Sequence, residues 1–74
     1  MMQYIEKLTL KTARDKAKIN QIDAAKLLGL SVSTLRNYEA GKTFPDVNTI
    51  HKMEELYNVS YDQIIFLQNE NAKA

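Results

Sequence analysis

The sequence predicts an all-α domain, a compact bundle of about five short helices. Three observations predict it. Cap-forming residues (Thr9, Asn20, Ser31, Asp46 and Ser60) stand just ahead of stretches whose apolar residues recur three and four apart. Residues that tolerate a left-handed backbone (Gly29, Gly41 and Asn58) stand just behind three of those stretches. The 74 residues suit one compact unit rather than two, with a core small enough to be only marginally stable.

Each element follows in order. An N-terminal arm, residues 1–8, has no helical period. Thr9 caps a first helix running to about Lys18, with Leu10, Ala13 and Ala17 on its inner face. Asn20 caps the second, with Asp23 near the capping-box position and an apolar face of Ala24, Ala25, Leu27 and Leu28. Gly29 stops it, because a left-handed stop residue costs glycine no Cβ clash, and Leu30 turns inward. Ser31 caps the third helix. There Leu35 and Tyr38 point one way, and Val32, Ser33, Arg36 and Asn37 the other, until Gly41 closes it. Pro45 keeps Phe44 out of helical geometry and so breaks the chain there. Asp46 caps a fourth helix, about Val47 to Tyr57, with Val47, Ile50, Met53 and Tyr57 as apolar contacts and Asn58 as its stop. Ser60 caps a short fifth helix from Tyr61 to about Phe66, and residues 68–74 form a polar tail. One strand pairing is open to the chain, between Tyr4-Ile5 and the apolar run Ile64 to Leu67.

Residues 20–41 therefore read as two short helices joined by a tight turn, the layout of a helix-turn-helix. The net charge of +1 hides an asymmetry. Residues 1–44 hold eight Lys/Arg and four Asp/Glu, while residues 45–74 hold two and five. A polyanion is attracted to the first part, which carries the outward-facing third helix, and repelled by the second.

Other functions find little support. With no cysteine, there is no disulfide, thiolate nucleophile or cysteine zinc site. His51 has no second ligand or nucleophile at a recognisable spacing, and the two glycines lie too far apart for a phosphate-cradling loop. Catalysis, cofactors and metals are not expected. No apolar run approaches a membrane span, and a cytoplasmic location is expected.

The chain resembles a known family at Ile19-Asn20-Gln21, Ala25, Leu28-Gly29-Leu30-Ser31, Ser33-Thr34-Leu35, Tyr38-Glu39-x-Gly41-Lys42, Pro45 and Val59-Ser60. This pattern, over roughly residues 10–66, is similar to the Cro/CI-type helix-turn-helix proteins, the phage-repressor-like regulators of the xenobiotic-response-element (XRE) family. The resemblance implies a lambda-repressor-like DNA-binding domain that binds double-stranded DNA as a homodimer. It places Val32, Ser33, Arg36 and Asn37 at positions facing base edges, and Asn20, Gln21, Lys42 and Thr43 at positions touching phosphates. Arg14 and Glu39 fall where some members form an internal ion pair; Arg14 is also long enough to reach a phosphate. Two positions depart from the pattern: Glu54 replaces a small apolar residue, and Ala24 a leucine, where the second and fourth helices meet.

The resemblance implies a sequence-specific regulator, a phage or mobile-element repressor or Cro-like protein. The alternative is a protein-binding module of the same fold, an anti-repressor or antitoxin acting on a repressor or other regulatory protein. Ile64 to Leu67 then serves either as a partner face or as the closing wall of the core. Tyr38, Tyr57 and Tyr61 read as core or rim residues, and Ile22 as exposed.

Overall fold

The computed structural model describes residues 6–66. Four α-helices follow a two-residue strand: β1 (Leu8–Thr9), α1 (Leu10–Lys16), α2 (Gln21–Leu28), α3 (Val32–Ala40) and α4 (Val47–Tyr57). A single 3-10 turn (Tyr61–Gln63) then leads into β2 (Ile64–Ile65).

The helix starts are fixed by side chains. Thr9 Oγ1 accepts the Thr12 N–H at 3.1 Å, Asn20 Oδ1 the Asp23 N–H at 2.7 Å, Ser31 Oγ the Thr34 N–H at 3.1 Å, and Asp46 Oδ1 the Thr49 N–H at 2.8 Å. Each satisfies a donor that the helix itself leaves unpaired. Gly29 (φ 73°) and Asn58 (φ 56°) end α2 and α4 in the left-handed region. The first helix stops two residues sooner than the sequence predicts. Lys18 adopts φ 62°, and the Ile19 N–H folds back to the Arg14 carbonyl at 3.3 Å.

The fifth helix is corrected. Ser60 to Gln63 makes one 3-10 turn, held by the Ser60 N–H on Gln63 Oε1 (3.0 Å) and the Tyr61 N–H on Glu54 Oε2 (2.8 Å). The β-branched pair Ile64-Ile65 then extends instead of coiling, and lies parallel to β1 with Leu8 opposite Ile64 and Thr9 opposite Ile65. The strand partner is thus Leu8–Thr9; Tyr4, Ile5 and Leu67 lie outside the described residues.

The core comprises Leu8, Leu10, Ala13, Ala24, Ala25, Leu28, Leu35, Met53, Tyr57 and Ile64. Two expected core contacts are on the surface instead: Leu27 is 64% and Val47 67% exposed. Leu27 lies on the flank of the Ala24–Ala25–Leu28 arc, and Val47 occupies the first turn of α4, ahead of the buried Met53 and Tyr57. Ala24 is fully buried, and α2 packs against α4. Glu54 braces the 3-10 turn with Oε2, while its Oε1 meets His51 Nδ1 at 3.0 Å. The two departures from the family pattern therefore do not open the seam between those helices.

Candidate nucleic-acid interface

The third helix is one-sided. Leu35 is fully buried and anchors it, while Ser33 and Arg36 are exposed and Asn37 is half-buried. The Ser33, Arg36 and Asn37 side chains have no hydrogen-bond partner among the described residues, so their polar groups are available to an outside ligand. Val32 differs from the expectation of a wholly outward side chain. It is half-buried and packs against the core, because the first turn of α3 leans on the bundle.

Behind α3 the chain wraps back on itself. The Lys42 and Thr43 N–H groups both point to the Asn37 carbonyl, at 3.0 and 3.5 Å. Their side chains remain exposed, so any contact they make to an outside group is a side-chain contact. Gly41 permits this reversal with φ 77°, which a residue carrying Cβ adopts only under strain.

The start of α2 is tied to α3 from inside. Arg14 Nε donates to Glu39 Oε2 at 2.7 Å and Nη2 to Glu39 Oε1 at 3.2 Å, while Nη1 donates to the Ile19 carbonyl at 2.9 Å. The two side chains are 8% and 6% exposed. The hydrogen bond to Glu39 holds the Arg14 pKa above its ordinary value, against the opposing pull of burial. Arg14 therefore faces inward, with its donors engaged by Glu39 and the Ile19 carbonyl. Gln21 joins the pair, its Nε2 donating to Glu39 Oε1 at 3.0 Å. Asn20, exposed, uses its side chain on the α2 cap, with Nδ2 donating to Asp23 Oδ2 at 3.1 Å.

The basic surface is narrower than the count of charges suggests. Lys11 pairs with Asp15 at 3.1 Å and Lys16 with Glu6 at 2.6 Å, and Lys7 Nζ donates to the Asp62 carbonyl at 2.7 Å. Of the basic residues in the first 44, Lys7, Lys18, Lys26, Arg36 and Lys42 enter no ion pair among the described residues. Two of these, Arg36 and Lys42, belong to α3 and the loop behind it.

Sequence reasoning did not anticipate the aromatic surface beyond that loop. Phe44, 60% exposed, lies 6.0 Å from Phe66, which in turn lies 5.8 Å from Tyr61. Beside them an apolar hollow of about 400 Å³ is lined by Val47, Ile50, His51, Glu54 and Tyr61. Nothing in the local spacing of Phe44 signals this cluster, since its partners lie across the chain. No group of three or more His, Cys, Asp or Glu suited to a metal occurs among the described residues. No described helix is long and apolar enough to cross a membrane.

Comparison with known proteins agrees with this geometry. A family model described as helix-turn-helix matches residues 10–64. The chain is 43% identical over 56 residues to the HTH-type transcriptional regulator ImmR of Bacillus subtilis (strain 168), an alignment covering 76% of this chain and 44% of that protein. It thus spans less than half the length of this relative. No solved structure matches the chain significantly.

Proposed function

This chain belongs to the helix-turn-helix family, and from that premise we propose that it is a sequence-specific DNA-binding transcriptional regulator, a repressor of the phage or mobile-element kind that acts in the cytoplasm. The reading is supported above all by α3, where Ser33, Arg36 and Asn37 carry polar groups that no described residue engages, on a helix anchored from behind by the buried Leu35. The similar protein from Bacillus subtilis bears the name of a transcriptional regulator, which adds to it.

In this proposal α3 enters the major groove of an operator. Arg36 pairs bidentately with guanine and Asn37 with adenine, while Ser33 adds a less selective bond. The half-buried Val32 offers only part of its surface to a thymine methyl. Lys42, Thr43, Gln21 and the start of α2 around Asn20 touch phosphates, which set the register but carry no sequence information. Two copies form a homodimer and read half-sites about 34–36 Å apart.

Selection of bound duplexes from random DNA, at two salt concentrations, tests the proposal. A two-fold symmetric consensus, with affinity falling as salt rises, is the expected result. Recovery of no enriched sequence at low salt would overturn it.

A further inference from the structure

We propose that Glu39 is a positioning residue for DNA binding: it orients the Gln21 side-chain amide so that the hydrogen left free on Nε2 meets a phosphate oxygen. The inference rests on the DNA-binding reading above and gives the buried ion pair a role beyond holding the bundle together.

Hydrogen-bonding chemistry carries it. A carboxylate accepts and cannot donate. The Gln21 amide must therefore turn its nitrogen, not its oxygen, toward Glu39 Oε1, and the 3.0 Å contact fixes that choice. An amide nitrogen bears two hydrogens, so one remains for another acceptor. Gln21 is half-buried, so part of the residue remains open to solvent. A free glutamine gives up rotamer freedom when it grips a phosphate, whereas this one is already ordered.

Glu39 is itself fixed. Arg14 holds both its oxygens (2.7 and 3.2 Å), and the Ile19 carbonyl, just ahead of α2, holds Arg14 (2.9 Å). The first residue of α2 and the eighth of α3 are thus joined through one carboxylate. The phosphate contact and the base-reading surface are set in register by the same group. Arg14 also neutralises Glu39, so the carboxylate does not repel the backbone it helps to bind.

The test compares the full chain with Gln21→Ala, the double variant Arg14→Met/Glu39→Leu, and the triple variant, on one selected duplex. Replacing both partners of a buried pair by apolar residues of similar volume leaves many folds as stable as before. The double variant is therefore expected to melt no lower than the parent, yet to bind about tenfold more weakly, the effect of one contact. The triple variant is expected to bind no worse than the double. The salt slope is expected to stay unchanged, because net charge is conserved and a neutral amide releases no counterion. Parental affinity in the double variant, or a further full loss in the triple, would overturn the proposal while leaving DNA binding intact. A parent that binds no duplex overturns both readings.

If the double variant does not fold, the Gln21 side-chain amide signals of the parent–DNA complex decide. One protected hydrogen, with the second shifting when DNA is added, is expected. Two hydrogens exchanging freely in the complex would overturn the assignment.

Discussion

Arg14 and Glu39, twenty-five residues apart, meet in the interior with Nε and Oε2 separated by 2.7 Å. Both side chains are almost fully withdrawn from water. The pair therefore joins α1 to α3 at a point where neither charge has solvent to fall back on. Removing one partner leaves the other charged and buried. Glu39→Ala is expected to cost about 3–5 kcal/mol, a large share of the total stability of so small a domain. Urea unfolding followed by circular dichroism checks this, and a loss below 1 kcal/mol would show that solvent reaches the pair.

Tyr57 presents the opposite case. Its hydroxyl is buried without a hydrogen-bond partner among the described residues, and burial, aided by the nearby Glu39 charge, pushes its pKa up to about 12. The folded chain thus holds the phenolic proton more tightly than the unfolded chain does, whose value is near 10. Stability is therefore untouched by this titration below the unfolded value and falls as pH rises from there toward about 12. Tyr57→Phe is expected to flatten this alkaline limb. At neutral pH it should raise stability by about 1 kcal/mol, by removing an unsatisfied buried group. Denaturant titrations at pH 7 and above pH 10 measure both effects.

Asp46 governs the acid side. Its carboxylate accepts the Thr49 backbone N–H at 2.8 Å, which holds its pKa below the ordinary value of 3.8. The folded pKa lies under the unfolded one, so the cap stabilises the fold above the unfolded value and fades as pH falls through the lower, folded value. Asparagine caps a helix about as well but does not titrate. Asp46→Asn is expected to preserve the fold at pH 7 and to reduce the dependence of stability on pH below 4. Acid titration of the two proteins, followed by helix signal, shows whether the curves separate there.

Much of this was legible in the sequence, because it is local. Thr9, Asn20, Ser31 and Asp46 cap the helices they precede, and Gly29, Gly41 and Asn58 end theirs, since such chemistry acts within four residues. Less legible was whatever depends on distant partners. Ile64 and Ile65 fit a short helix or a strand by periodicity, and only Leu8 and Thr9, over fifty residues away, select the strand. The outward positions of α3 follow from helical spacing, but the half-burial of Val32 follows from the angle at which α3 meets the bundle. The bond from Gln21 to Glu39 was likewise hidden, since its partners lie on different helices.

Lys18 holds a backbone conformation better suited to glycine, with φ 62° at the end of α1. A Cβ in this region clashes with the carbonyl oxygen, and the strain costs about 1 kcal/mol. Lys18→Gly is expected to raise the melting temperature by a few degrees, because the side chain is exposed and has no ion-pair partner among the described residues. A lower melting temperature in calorimetry would mean that glycine's greater unfolded-state freedom outweighs the relief of strain.

The proposed DNA contacts divide by the kind of loss they produce. Among the described residues, Asn37 has an amide suited to adenine and no internal side-chain partner, and Lys42 is an exposed cation in no ion pair. Asn37→Ala is expected to cost about 1–3 kcal/mol against the preferred base and to relax selectivity at one position of each half-site. Lys42→Ala is expected to weaken binding to all duplexes alike and to reduce the salt slope by about one. Mobility-shift titrations on cognate and base-substituted duplexes, each at two salt concentrations, separate these outcomes. The assignment fails if Lys42→Ala changes sequence preference, or if Asn37→Ala weakens all sequences equally, because the base-reading and backbone-gripping roles would then be exchanged.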